Sequence, residues 1–369
     1  MSSQVFFWNL RTSFKAPYEK KIKKLITTAG FLKKIESKDL VAIKMHFGEK
    51  GTTSFISPIW VQSIIGILKK SGAKCFLTDT NTLYVGDRGE AVSHILRATK
   101  HGFDPAIIGA PVIIADGLKS SNEIVLNYPG KHFKEYYFGR DFFEADAMVN
   151  LSHFKGHELT GFGGAIKNIG MGCASRRGKM QQHCGLGPKV KRENCIGCGR
   201  CIESCEAKAL SLDDENKIVV DHEKCVGCAN CLLACRNNAL DVNWKVDVKV
   251  FLERLTEYFA AFVYNFKKPI IHINFIMNVS PLCDCVGFSD APICPDIGIA
   301  ISYDPVALDQ ACVDMVNQAT ATNVGQYKED PSKHSDKFKA IHPKTMGEYL
   351  LEYAENLGLG KRKYELVAI

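Results

Sequence analysis

The sequence predicts an α/β protein: a layered body with a largely parallel sheet, into which a small α+β module built on eight cysteines is inserted. Three observations predict it. Short apolar runs alternate with amphipathic helical stretches through the first third of the chain, the pattern of strand–helix–strand units. The same alternation returns after residue 246. Between the two lies a cysteine pattern that repeats itself thirty residues on.

In order along the chain, residues 40–45 are a short apolar run with the length of a buried strand. Residues 59–70 carry apolar side chains at helical spacing and stop at Ser71-Gly72, a helix terminator. Residues 74–78, 112–115 and 147–151 read as further buried strands. Past the cysteines, 246–266 reads as one or two helices, 270–275 and 297–302 as strands, and Pro305–Gln318 as a helix. The expected division is a body from residues 1–190 and 243–369 with the module at 191–242.

The chain has 369 residues, of which 46% are hydrophobic, enough to bury a sizeable core. No apolar run is long enough to span a bilayer. The opening MSSQVFFWNLRTSFK lacks the charged start and apolar stretch of a signal peptide, so the expectation is a cytoplasmic protein without a transmembrane segment. In such a setting fifteen cysteines point to metal ligation rather than disulfides. The net charge is +7 but uneven: residues 193–242 hold nine acidic and five basic residues, a balance of −4, leaving +11 elsewhere. A basic stretch (Arg176, Arg177, Lys179, Lys189, Lys191, Arg192) precedes the acidic segment. It reads as solvated surface or as a dock for an acidic partner or phosphate-bearing ligand. No nucleic-acid-binding motif accompanies the charge, so no nucleic-acid partner is expected.

The cysteines of the module are spaced C-x2-C-x2-C-x3-C twice, at Cys195, Cys198, Cys201, Cys205 and at Cys225, Cys228, Cys231, Cys235. Three thiolates at this spacing wrap one iron–sulfur cube from a tight loop, and the fourth reaches the other cube. The ligand sets are then Cys195, Cys198, Cys201 and Cys235 for one [4Fe–4S] cluster, and Cys225, Cys228, Cys231 and Cys205 for the second. A pair of zinc sites is the alternative, but zinc needs only four ligands and tolerates looser spacing. The proline that usually follows the fourth cysteine is replaced by Glu206 in one copy and Arg236 in the other.

The body has its own concentration of chemically capable side chains. His153, Lys155, His157, Glu158, Lys167 and Asn168 fall within sixteen residues that also carry Gly161, Gly163 and Gly164. The lysines suit an anion, and His153-x3-His157 has the spacing of a metal pair on one helix face. Neither a Walker A loop nor a dinucleotide fingerprint is present. Lys44, His46, Asp79 and Asn81 follow expected strand ends, where α/β sheets open to ligands. A pocket lined by Lys44, His46, Asp79, His153, His157 and Lys167 is therefore expected. Cys283-Asp284-Cys285 sits in a proline- and aspartate-rich loop. It is a candidate third metal or cluster site, with Cys294 and Cys173 (and Cys184) as further ligands, or a redox thiol pair, or buried structural cysteine. Cys75 and Cys312 stand in apolar patterns and are expected in the core. Nothing pairs a cysteine with a histidine as a nucleophile, and there is no Gly-x-Ser-x-Gly elbow.

Several stretches together resemble a widespread prokaryotic family, domain of unknown function 362, in its ferredoxin-bearing branch. They are KMHFGEKG from Lys44, LTDTNTLYVGDR from Leu77, IIADGL from Ile113, LSHFKGHELTGFGGAIKNIGMGCASRRGK from Leu151, the cysteine module, SPLCDC from Ser280 and PDIGIAISYDPVALDQ from Pro295. The resemblance implies a ferredoxin-like electron-transfer protein with an α/β body. It marks Lys44, His46, Asp79, Asn81, His153, Lys155, His157, Glu158, Lys167, Asn168, Cys283 and Cys285 as site residues, and assigns the body no defined reaction. The first functional expectation is an iron–sulfur electron carrier that donates to a redox protein partner. The alternative is an oxidoreductase whose body holds a substrate, flavin or third metal wired to the clusters.

Overall fold

A computed structural model describes residues 2–84, 86–184, 187–244, 247–322, 325, 327–331 and 335–369. Val246, the expected first residue of the long helix, and Val85, inside LTDTNTLYVGDR, lie outside the described residues.

Eight strands form the central sheet, in the spatial order Tyr364–Ala368, Ser3–Trp8, Gly298–Ser302, Ile270–Ile276, Ala147–His153, Leu40–Lys44, Lys74–Asp79, Val112–Ile114. All neighbouring pairs are parallel except those made by Gly298–Ser302, which runs antiparallel to both of its neighbours. The inner strands are apolar along their length because both faces are covered: every residue of Ala147–His153 and of Gly298–Ser302 is buried. Alternate side chains enter opposite cores. Val149, Leu151, Ile299 and Ile301 join the side covered by the helices Tyr18–Thr28 and Pro58–Lys70. Met148 and Ala300 join the side covered by Val248–Phe266, Pro305–Gln318 and Gly347–Asn356. The body is thus a three-layer α/β sandwich with a mostly parallel sheet.

The expected inner strands and helices are present, with ends shifted by one or two residues. Residues 246–266 resolve as a single helix, Val248–Phe266, because no Gly or Pro interrupts it and Asp247 caps it by accepting from the Val250 amide at 2.9 Å. Ser3–Trp8 and the edge strand Tyr364–Ala368 are additions to the sequence reading; the latter is half exposed and mixed in polarity. His153 and His157 do not share a helix. His153 ends a sheet strand and His157 ends the short strand Lys155–His157, which pairs with Gly161–Gly163. Cys75 and Cys312 are core residues. Among the described residues no helix is long and apolar enough to cross a membrane.

The basic stretch is not one surface strip. Arg176 is fully buried and donates to the carbonyls of Thr82 at 3.2 Å and Lys119 at 3.1 Å, and Lys179 is buried as well. Arg177 and the later members reach the surface, where Lys191 pairs with Asp241 at 2.6 Å.

Candidate functional site

The cysteine segment folds as two copies of one unit. Each has a left-handed loop, a short helix (Arg200–Glu203 or Asn230–Ala234) and a strand that pairs within the segment. Gly197, Gly199 and Gly227 adopt positive φ, and Ala229 does so at 59° where the first copy has glycine. Two small enclosed cavities result. One is lined by Cys195, Cys198, Cys201 and Cys235, the other by Cys205, Cys225, Cys228 and Cys231. Each takes three cysteines from one copy and one from the other. Backbone amides point at the sulfurs: Ile218 donates to Cys195 Sγ at 3.3 Å, Ala209 to Cys205 Sγ at 3.3 Å and Ala239 to Cys235 Sγ at 3.2 Å. Burial, reinforced by the neighbouring cysteines, pushes the Cys231 thiol up to about 12. A tetrahedral zinc ion would hold thiolates about 3.8 Å apart, from a Zn–S distance near 2.3 Å. Among the described residues, none of these eight cysteines belongs to a trio of ligand atoms mutually within 4.8 Å. Glu206 and Arg236 are exposed and line neither cavity.

The body's own cavity, about 330 Å³, opens at the carboxyl ends of the parallel strands. Leu40–Lys44 delivers Lys44 and His46, Lys74–Asp79 delivers Asp79, and Ala147–His153 delivers His153. Lys155, His157, Glu158, Lys167, Asn168, Cys283 and Cys285 complete the expected set on its walls. Close approach is built in at Gly156, where a β-carbon would fall 2.2 Å from the Pro281 carbonyl oxygen, so the histidine strand can lie against the cysteine loop. At Gly164 a β-carbon would meet Asp309 at 2.3 Å, and that carboxylate accepts from the amides of Ala165 at 2.7 Å and Ile166 at 3.0 Å.

Two buried carboxylates organise the cavity. Asp79 pairs with Lys44 at 3.1 Å and Arg88 at 3.4 Å. Burial alone would raise its pKa, but the charges of Lys44, His94, His46 and Arg88 hold it well below the usual carboxylate range. Asp284 accepts from Ser54 at 2.8 Å, faces His153 Nδ1 at 2.9 Å and pairs with Lys155 at 3.1 Å, and despite burial it too is held well below that range. His153 Nε2 faces the carbonyls of Met277 at 3.0 Å and Asn278 at 3.2 Å. Both ring nitrogens therefore face acceptors, leaving no lone pair for a metal. Burial, then Arg88, drives the His46 pKa well below its ordinary value. Lys44 also donates to Asn168 Oδ1 at 2.9 Å.

Among the described residues, the group able to converge on one ion is His157, Cys283 and Cys285. His157 Nδ1 lies 3.8 Å from Glu158, but it already accepts from the amides of Leu159 at 3.1 Å and Thr160 at 3.2 Å, so no ion pair forms there. Lys167 Nζ stands 3.5 Å from Cys283 Sγ.

Three expected members lie elsewhere. Asn81 donates to Asp116 at 3.0 Å and to the Gly117 carbonyl at 2.8 Å behind the cavity wall. Cys173 is buried, its thiol raised to about 12 by desolvation, and Cys294 is buried near Lys337, raised by burial to about 11. Neither joins Cys283 and Cys285, because each is packed in the apolar layer opposite. Arg88, Tyr84 and His183 are cavity residues that sequence reasoning did not select, and Lys179 was read only as part of the basic stretch. Arg88 and Tyr84 stand within a quoted family stretch, and that was their only signal. Burial lowers the Lys179 pKa to about 8, although Asp116 and Asp79 oppose it, and its ammonium donates to the carbonyls of Asn81 at 2.6 Å and Ala174 at 3.0 Å.

The module and the cavity share a wall. Leu83 lines the cavity and also packs with Met180, Cys201 and Cys231 in the module's apolar core.

A family model, "Domain of unknown function (DUF362)", matches residues 41–314, a span that includes both the cysteine module and the cavity-forming segments. The chain belongs to the DUF362 family. No curated protein matches it. Among solved structures it is similar to a protein from Thermotoga maritima at 14% identity and a TM-score of 0.42, over 80% of this chain and 58% of that one. It is also similar to the lactate racemase apoprotein from Thermoanaerobacterium thermosaccharolyticum at 14% identity and a TM-score of 0.31, over 64% of this chain and 48% of that one. The chain thus spans about half the length of each of these structures.

Within this DUF362 member, three of the five cavity-lining cations are paired, Lys44 with Asp79, Arg88 with Asp79 and Glu49, and Lys155 with Asp284, and Lys167 and Lys179 make no carboxylate ion pair among the described residues.

Proposed function

We propose that this DUF362 protein is an iron–sulfur oxidoreductase. In this reading residues 191–242 hold two [4Fe–4S] clusters and move electrons between a redox protein partner and a small anionic substrate in the body's cavity. The observation that carries the proposal is the pair of four-cysteine cavities, each completed by a cysteine from the other copy, adjoining a 330 Å³ cavity through Leu83. A plain carrier has no use for that cavity. Its size suits a small molecule, and its converging charged groups suit chemistry more than packing.

Cys195, Cys198, Cys201 and Cys235 would hold one cluster, and Cys225, Cys228, Cys231 and Cys205 the second; the clusters supply one-electron redox chemistry. The protein's own contribution is substrate handling. Lys167 and Lys179, which make no carboxylate ion pair among the described residues, would hold the anion, and Lys179, with its pKa near 8, can give up or accept a proton close to neutrality. The second cysteine cavity is the one nearer the body: Cys228 lies close enough to Arg176 and Arg177 to feel their charge. The first is the outward one, with Cys198 exposed and Ile196 66% exposed, which makes it the docking side for the partner.

The test is iron, acid-labile sulfide and zinc analysis of anaerobically purified protein. About eight irons and eight sulfides per chain are expected from two cubes. Stoichiometric zinc with no sulfide would overturn the proposal.

A further inference from the structure

We infer that Cys283 and Cys285 are a redox-active thiol pair that cycles between dithiol and disulfide in the cavity wall, and not a third metal centre. The inference deepens the oxidoreductase reading and rests on it for the source of electrons.

The loop is built to present two thiols on one side. The Val286 amide donates to the Cys283 carbonyl at 2.9 Å, closing a turn with Asp284 and Cys285 at its centre. The Asp284 side chain is held by Ser54, His153 and Lys155, while both cysteines line the cavity. The two Sγ atoms and a ring nitrogen of His157 lie within 4.8 Å of one another. A disulfide would bring the two Sγ atoms to roughly 2.05 Å.

The same neighbours argue against a metal. A histidine that ligates offers one bare nitrogen and donates from the other. His157 has the reverse arrangement: Nδ1 accepts from two amides, which places the proton on Nε2. Lys167 Nζ, 3.5 Å from Cys283 Sγ, already occupies the place of a compensating cation, and a divalent ion would be repelled by it. A hydrogen bond from the Cys285 thiol, which outweighs the opposing burial, together with Lys167 and Lys155, holds the Cys283 thiol well below its ordinary value. Cys285, the donor, is held well above its own. One thiolate and one thiol is the resting state of an exchanging pair.

Oxidation joins Cys283 Sγ to Cys285 Sγ, releases the Cys285 proton to the cavity and gives up two electrons. Two one-electron iron–sulfur centres accept that number, and reduction runs the same step backwards.

The test uses the full-length, anaerobically purified protein. It is equilibrated in dithiothreitol buffers of graded oxidised-to-reduced ratio, quenched in acid, alkylated after denaturation, and the fragment with Cys283 and Cys285 is read by mass spectrometry. The expected result is one two-electron conversion from both thiols alkylated to a Cys283–Cys285 disulfide. Lys167→Met should raise the pH at which Cys283 is alkylated in the native protein. Both thiols alkylated at every ratio, or a bound metal ion lost from both Cys283→Ser and Cys285→Ser, would overturn the inference. Iron and sulfide are measured on the same samples. Absent clusters with a cycling pair would refute the two-cluster reading, and intact clusters with a pair that never oxidises would refute only the thiol inference.

Discussion

The cysteine module and the body's cavity are assembled in opposite ways. In the module, ligands lie two or three residues apart and fold around a centre from local loops, with one cysteine exchanged between copies. In the cavity, Lys44, Asp79, His153, Lys167 and Cys283 come from segments spread over more than two hundred residues and meet because parallel strands end on one side of a sheet. The module's chemistry is therefore a property of spacing, whereas the cavity's is a property of topology. Buried ion pairs hold the cavity in shape, whereas the module crowds its thiols together, which with burial raises the Cys231 pKa.

The comparison breaks first if the two regions do not fail separately. Cys228→Ser should lower iron from about eight to about four per chain, while far-UV circular dichroism reports an α/β body still folded. Global unfolding would mean that the module is part of the body's core.

Asp284→Asn should do the reverse. It leaves His153 and Lys155 buried without their carboxylate, and loss of one partner of a buried pair costs about 3 kcal/mol or more. The expected outcome is a large fall in the body's denaturant midpoint with iron content unchanged. Equal loss of iron would show that the cavity supports the module's ligands.

A third effect concerns acid. Burial holds His94, His183 and His272 neutral in the fold, with pKa values near 3. The unfolded chain protonates them near 6.5, so their contribution is present above that pH and is lost as pH falls from 6.5 toward 3. Asp309 works the other way: burial lifts its carboxyl to about 6, so it adds stability as pH falls through that value. Three groups outweigh one, and stability should drop by at least about 1 kcal/mol between pH 7 and pH 5. Denaturant unfolding followed by tryptophan fluorescence reads it, and a flat or rising profile contradicts the assignment.

The smallest effect sharpens the likeness of the two copies. Ala229 carries a left-handed φ of 59° where Gly199 stands in the first copy. Ala229→Gly should stabilise the second loop by roughly 0.5–1 kcal/mol and slow iron loss to a chelator. Faster loss would mean that the methyl group packs usefully against its surroundings.

What could be read in the sequence follows the same division. The spacing of the eight cysteines carried their grouping, because that information is local. The buried strands were legible as apolar runs, and the positions of Lys44, Asp79 and His153 at strand ends pointed to a common opening. Ser3–Trp8 and the edge strand Tyr364–Ala368 were not legible, since partly exposed strands lack a continuous apolar run. Partner choice was also hidden. Nothing in the spacing of His153 and His157 says that one ring is saturated by Asp284 and two carbonyls, or that the other accepts from backbone amides. Asp284 looked like a loop residue between two cysteines, yet it is the buried anchor of that loop. Arg176 and Lys179, which read as surface charge, are buried because carbonyl oxygens from distant loops satisfy them.

The central claim is that the module and the cavity form one electron-handling unit, and the electron count per chain tests it most directly. An anaerobic reductive titration of oxidised protein should take up about four electrons, one for each of two clusters and two for the Cys283–Cys285 disulfide. The Cys283→Ser/Cys285→Ser variant should take up about two by the same reckoning. A wild-type chain that takes up no electrons, or a variant that matches the wild type, would contradict the account.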